Sequence, residues 1–441
     1  MLLRIYNRES LPPNRLEALK HRSSRDFLDP QLFEQAKRVA EDVRADGDAA
    51  VIEATARFDQ VSLSREQLWV SEDEFTRAHA ALPAELLAAI ETAIENHRRY
   101  NEALLPPALQ LFDLAEGVVG GRKVCPIRRV ALCVPSGKGS YPSTFITIAV
   151  PAVVAGVPEI EVIVPPRHDG TIDPALLTAA NMLGIRRVFR ANGVAGISAA
   201  AIGTEALPKV MKIVGPGGSM IMATQCYAQL QGVDVALFFG PSECMVIADD
   251  SADPVLVAAD LLNEAEHGPD SSAILLTDSA ALAEAVQQEL ERQLPELPQW
   301  RREFAASAIE RFGGAVVTEN LDQAVELAND WANEHVQVAT RDPWRIANQL
   351  VHASEILVGQ STTFSAISYA IGVPACLPTG QFARHYSPVT VETYLRFAAV
   401  AATDHDGLES LAPAITALAH HENFPAHARS IQLRREKGLL P

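Results

Sequence analysis

From residue 128 to about 360 the chain alternates short, mostly apolar runs that read as buried strands with longer segments whose apolar residues recur at helical spacing, the pattern of βαβ units on a mostly parallel sheet. VALCV (130–134), EIEVIV (159–164), RRVFRANG, KVMKIVGPGG, CMVIAD, SAILLTDS, AVVTEN, HVQVAT and EILVGQ read as strands. PSTFITIAVPAVVAG, with Ser143 and Thr144 suited to its N-terminus, PALLTAANMLG, AGISAAAIG, DPVLVAADLLNEAEH, ALAEAVQQELERQL, LDQAVELANDWAN and DPWRIANQLV read as the helices between them. The two successive sets, meeting at the GPSE of 240–243, predict an α/β chain with two doubly wound domains. The first 125 residues read mostly as helix, with a Pro-Pro pair at 106–107 ending the run AELLAAIETAIENHRRYNEALL, and the last fifty return to helix with a polar tail.

At 441 residues with 48% hydrophobic and 21% charged, the chain can bury a large core and divide into domains. A formal charge of -18 argues against a nucleic-acid partner, since that affinity needs Lys and Arg to neutralise phosphates. No apolar run reaches the roughly 18 residues of a membrane span, and MLLRIYNRESLPPNR lacks the apolar stretch of a secretory signal. Five scattered cysteines (125, 133, 226, 244, 376) without a CxxC suit neither a disulfide framework nor a cysteine zinc site, so a reducing cytoplasm is expected.

PSGKGSYPST and VGPGGSM are glycine-rich strand-to-helix turns whose N–H groups could hold an anion. Neither completes a Walker loop or GxGxxG, and tight turns need glycine in any case. In LLNEAEHGPD, Glu264 and His267 stand three apart near a helix end, as helix-borne zinc ligands do. The plainer alternative is a polar helix C-terminus with histidine favoured by the macrodipole. WANEHVQVAT sets Glu334 and His335 at a helix-to-strand junction, where an acid and an imidazole could take a hydroxyl proton and activate water. A surface acid beside a half-buried histidine would look the same. Cys133 precedes a glycine-rich turn that could stabilise a thiolate, or it is a buried structural cysteine. His427 in NFPAHARS says nothing alone.

Taken together, PIRRVALCVPSGKGSYPST, AVPAVVAGVPEIEVIVPP, IGTEALPKVMKIVGPGG, VDVALFFGPSECMVIAD, ADLLNEAEHGPDSSAILLTD, NEHVQVAT and LPTGQFAR resemble, in order and spacing, the segments of histidinol dehydrogenases from about residue 30 to 435. The resemblance implies two incomplete Rossmann-like domains with small helical N- and C-terminal pieces. The implied boundaries are a helical arm at 1–27, a first domain of 28–132 plus 244–387, a dinucleotide-side domain of 133–243, and a C-terminal segment of 388–441 that completes the site of the partner in a homodimer. It further implies a zinc-held alcohol that loses hydrides to NAD and leaves as a carboxylate. On that carry-over His335 takes the hydroxyl proton and Glu334 helps activate water, while Ser242 and Glu422 contact substrate.

The departures from the family are specific. Its zinc shell of Gln, His, Asp and His falls on Glu264, His267, Ser368 and His427, so the aspartate is lost and the glutamine has become a carboxylate. Two histidines and a carboxylate with water still make a reasonable site. The substrate-binding histidine is Ala375, and histidinol is therefore not the expected substrate. On the dinucleotide side, besides Pro135, the family's tyrosine of the first strand, glutamine of a GGAQ-like turn and asparagine of a GPGN turn fall on Cys133, Gly196 and Gly218. The expectation is a zinc- and NAD-dependent oxidation of a small polar alcohol or amino alcohol, hydroxylated sulfonates included. The rivals are a metal-dependent hydrolytic or elimination enzyme and a catalytically silent binding homologue.

Overall fold

The computed structural model describes residues 2–20, 29–136, 139–236 and 240–438. In chain order its strands are β1 (Ile5–Asn7), β2 (Leu109–Ala115), β3 (Val118–Pro126), β4 (Arg129–Cys133), β5 (Glu159–Val164), β6 (Val188–Arg190), β7 (Lys212–Val214), β8 (Asp234–Val235), β9 (Glu243–Ala248), β10 (Ser272–Thr277), β11 (Gly314–Val317), β12 (His335–Ala339), β13 (Glu355–Val358) and β14 (Leu395–Thr403). The chain forms two compact units, Met1–Leu104 with Arg128–Thr393, and Leu105–Ile127 with Tyr394–Pro441.

The larger unit is a mixed α/β structure with two parallel sheets. One runs β6-β5-β4-β7-β8 and the other β1-β11-β10-β9-β12-β13. Every residue of β9 (ECMVIA) and of β10 (SAILLT) is buried, as expected for strands covered on both faces. The covering helices form where the apolar spacing predicts. In Leu321–Trp331 the Asn320 side chain caps the start by accepting from the Gln323 N–H at 2.9 Å, and Ala324, Val325, Leu327, Ala328 and Trp331 make the buried stripe. Each large apolar side chain so buried contributes roughly 2 kcal/mol.

Three expectations are corrected. Residues 109–126, expected as helix or its tail, form the antiparallel pair β2–β3, turned at Glu116–Gly117 with Gly117 at φ +70°. β14, in the supposedly helical C-terminal piece, pairs antiparallel with β3, and the helices His405–His421 and Pro425–Glu436 follow it. At the other end Ile5–Asn7 add β1 to the sheet edge beside β11 before the helix Pro13–Lys20 begins, while residues 21–28 of the expected arm lie outside the described residues. The helix Pro142–Val154 is capped by backbone position Tyr141, with Pro142 first in the helix, so Ser143 and Thr144 stand inside the first turn.

Candidate active site

The chemistry gathers at the amino ends of three neighbouring strands. Glu243, His335 and Glu355 open β9, β12 and β13, and Glu334 immediately precedes β12. The helix Leu321–Trp331 ends at Ala332, a fully buried alanine in the left-handed conformation (φ +55°, ψ +55°), which turns the chain through Asn333 into Glu334. A non-glycine residue there costs about 1 kcal/mol or more. The helix-to-strand junction expected for Glu334 and His335 is present, at the amino end of β12. Parallel sheets bind ligands at carboxyl ends, so for this sheet the pair sits at the opposite edge.

Glu334 and His335 are both buried. Glu334 Oε2 accepts from the Glu243 N–H at 2.8 Å, and its Oε1 lies 3.7 Å from His335 Nε2. His335 Nδ1 donates to Glu355 Oε2 at 2.6 Å, and the Phe364 ring meets the imidazole edge-on at 5.7 Å. Burial pushes the Glu334 carboxyl up to about 8, against the opposing pull of His335 and the Glu243 N–H. For His335 burial disfavours the imidazolium, but the charge of Glu334, the bond to Glu355 and the charge of Glu264 outweigh it and lift the ring to about 10.

Glu264, near the end of the helix Pro254–Ala265, is buried and accepts from Asn263 Nδ2 at 2.9 Å. His267 is half-exposed just beyond, with Nδ1 3.5 Å from Glu264 Oε2 and 3.2 Å from the Asn263 carbonyl. With Nδ1–H donating there, Nε2 keeps the lone pair a metal ligand needs.

These groups open on a cavity of about 740 Å³, within the range of small-molecule sites. Ser242, Ser368, Ala375 and Cys376 line it beside Glu334, His335, Glu264 and His267. The opposing wall comes from the five-stranded sheet: Pro135 follows β4, Pro216–Gly218 follow β7, and Tyr141–Thr144 begin the helix Pro142–Val154. Strand order reverses between β4 and β7, so here the carboxyl-end rule does hold. Neither Pro142–Val154 nor Ser219–Leu230 has a side-chain cap, which leaves their N-terminal N–H groups for an anion. Gly137 and Lys138 of the first glycine-rich turn lie outside the described residues.

A histidinol dehydrogenase family model matches residues 22–435. The chain belongs to the histidinol dehydrogenase family. It is 41% identical over its full length to the full length of a histidinol dehydrogenase from Synechocystis sp., and 37% identical to a histidinol dehydrogenase homolog from Colwellia psychrerythraea over 91% of this chain and 90% of that one. It is also similar to the crystal structure of histidinol dehydrogenase from Elizabethkingia anophelis, with TM-score 0.93 and 31% identity over 99% of this chain and 98% of that one.

Membership in the histidinol dehydrogenase family, a family of NAD-dependent oxidoreductases that use zinc, sets two tests of fit. For the dinucleotide, the Gly217–Gly218 turn and the two uncapped helix ends suit a pyrophosphate, and a side chain added at Gly218 would meet open space. The other expected contacts differ. Gly196 is buried against Ile163, whose Cγ2 lies 2.5 Å from where a Cβ would be, and the side chain of Asn192 already caps its helix. Cys133 is buried, and desolvation pushes its thiol up to about 12, so the thiolate idea fails on this structure. Gly218→Asn is therefore expected to fold normally and tighten NAD binding, whereas Gly196→Gln should cost ~1–3 kcal/mol. Calorimetry with NAD and urea unfolding check the pair.

For zinc, Glu264 and His267 fit two places of a shell, but among the described residues no group of three His, Cys, Asp or Glu side chains could hold an ion. Ser368, in the turn Ile367–Ile371, lines the cavity with no carboxylate to offer. His427 and Glu422 belong to the smaller unit, where both are exposed and His427 stacks near Phe424 at 5.1 Å. Three residues on this site escaped the sequence reading. They are Glu355, which meets the site through its bond to His335, and the lining residues Tyr141 and Arg301, the last on the unanticipated helix Gln299–Phe312, where its guanidinium donates to the Glu266 carbonyl at 2.8 Å. No helix among the described residues is long and apolar enough to cross a membrane.

Proposed function

We propose that this chain oxidises a small alcohol bearing an amine, with NAD as hydride acceptor and His335 as the base that takes the hydroxyl proton. The observation behind the reading is the cavity itself, where the buried Glu334–His335 pair faces the glycine turn and uncapped helix ends across one space. Glu264, Glu266 and Asp270 line it against Arg301 and the His335 imidazolium, a negative excess that favours a cationic substrate over an anionic one such as a sulfonate. On this reading the two parallel sheets are the cores of two Rossmann-like halves, and a second copy supplies His427 and Glu422.

Bound NAD would supply the hydride acceptor. A zinc ion held by Glu264, His267 and His427 of a second copy would polarise the alcohol oxygen. Glu334, anchored by the Glu243 N–H, holds a carboxyl beside His335 that can orient water for a second oxidation from aldehyde to carboxylate.

Two substrates are favoured by different observations. Full-length similarity to a histidinol dehydrogenase favours L-histidinol. Ala375, lining the cavity with no partner to offer an imidazole, favours an amino alcohol without that ring. NADH formation from L-histidinol and from a series of aliphatic amino alcohols, on zinc-loaded protein, separates them. Elemental analysis of the same preparation should find about one zinc per chain, lost in Glu264→Ala. No NAD binding by titration would sink the oxidoreductase reading and leave the hydrolytic or elimination alternative.

A further inference from the structure

We propose that Glu355 is a positioning residue for His335, fixing by its carboxylate which ring nitrogen faces the substrate. The inference rests on the reading of His335 as the base. Parallel pairing of β12 with β13 sets His335 beside Glu355 as Cα partners, so the two side chains leave the sheet on the same face. The Glu355 N–H donates to the Glu334 carbonyl at 2.9 Å, which fixes the backbone of the acid-base pair and of its neighbour together. Glu355 Oε2 then receives the Nδ1–H at 2.6 Å, a charge-assisted bond of the short kind.

Stability alone does not explain the arrangement. Glu355 Oε1 is buried and has no hydrogen-bond partner among the described residues. A carboxylate oxygen left so is costly, and such groups concentrate where chemistry needs them. Phe364 closes on the ring from another side at 5.7 Å, so the imidazole has one orientation and, with Glu355, one tautomer. In the neutral form of the ring, the one able to accept a proton, Nδ1 keeps its proton and Nε2, on the side of Glu334 and the cavity, has the lone pair.

The step balances as follows. The substrate O–H bond breaks and its proton goes to Nε2, the adjacent C–H bond breaks and its electron pair leaves as hydride to the nicotinamide, and the carbon–oxygen double bond forms. The imidazolium charge created is neutralised in place by Glu355, which stays ionised. Without the carboxylate, the ring can hold its proton on Nε2 instead, and a base of the right composition faces the substrate with the wrong atom.

The test compares Glu355→Gln, Glu355→Asp and His335→Ala in the full-length protein, with whichever of L-histidinol or the aliphatic amino alcohols the wild type oxidises fastest as probe. Glu355→Gln should lower kcat by at least about 10²-fold with KM within about threefold of wild type, and Glu355→Asp should recover part of the loss. Proton NMR of the wild type should show a strongly downfield imidazole N–H signal, absent from Glu355→Gln and from His335→Ala. If Glu355→Gln does not fold, Glu355→Asp decides by retaining that signal and a measurable kcat. A Glu355→Gln enzyme with wild-type kcat, or a wild-type spectrum without the signal, overturns the proposal. Full activity in His335→Ala would instead overturn the base reading beneath it.

Discussion

His335→Ala is expected to lower kcat by about 10²- to 10⁴-fold, the usual worth of a positioned base, with NAD binding unchanged because the glycine turn and uncapped helix ends proposed to hold the dinucleotide belong to the other sheet. The pH profile makes the prediction sharper. A base must be neutral to accept a proton, and His335, lifted to about 10 against its own burial, is mostly imidazolium at neutral pH. Below that value the competent fraction grows about tenfold per pH unit. The wild-type kcat/KM should therefore climb from about pH 7 towards about pH 10, and the climb should be missing in His335→Ala. A flat wild-type profile across that interval would remove His335 from the role. Any cation bound beside Glu264 offsets one of the charges lifting the ring, so zinc loading should slide the climb to lower pH.

Asp260→Asn is expected to stabilise the protein by up to about 3 kcal/mol near pH 8 and to change little below about pH 3.5. Asp260 stands one turn before Glu264 on the same helix, buried, with Gln337 Nε2 donating to its Oδ2 at 2.7 Å. Burial first, and the Glu264 charge after it, raise its carboxyl from the ordinary 3.8 to about 6 although the Gln337 bond pulls the other way. The sign follows from the protons. Between those two values the folded protein keeps a proton that the unfolded chain has released, so stability present at low pH is lost as pH rises through about 6. Asparagine keeps an acceptor for Gln337 and has no charge to bury. Urea midpoints at the two pH values decide it. Equal midpoints for variant and wild type near pH 8 would mean that Asp260 ionises in the fold without penalty.

The parallel sheets were legible because their strands need only local evidence: β5, β9 and β10 are short, largely apolar and largely buried runs bounded by turn residues. The antiparallel sheet was not, since β14 and β3 are about 270 residues apart in sequence and β2 is mostly exposed, so neither burial nor period announces it. One signal was available in the Glu116–Gly117 step between two apolar stretches. In the site, Glu334, His335, Glu264 and His267 were found as neighbouring pairs within short segments. Glu355 opens EILVGQ, a run read correctly as strand, but nothing in that run tells that its first residue will lie beside His335. Partners set by strand register are invisible until the order of strands is known. Gly196 shows the opposite gap: a position carried over from a resemblance brought no information about Ile163 packed beneath it.

The pairing of His335 with Glu355 across β12 and β13 is written in whole residues. Because side chains alternate along a strand, a slip of one position would set Ile356 against His335 and turn every following residue of β13 to the other layer. The connection from 340 to 354 answers to a looser rule: its short helix Pro343–Ala347 buries Ile346 and Ala347, and Leu350 after it, in the core, while Asn348 and Gln349 between them stay exposed. A laboratory graft can therefore alter such exposed positions if it keeps those buried anchors, whereas a frame change inside either strand would part the proton-handling pair.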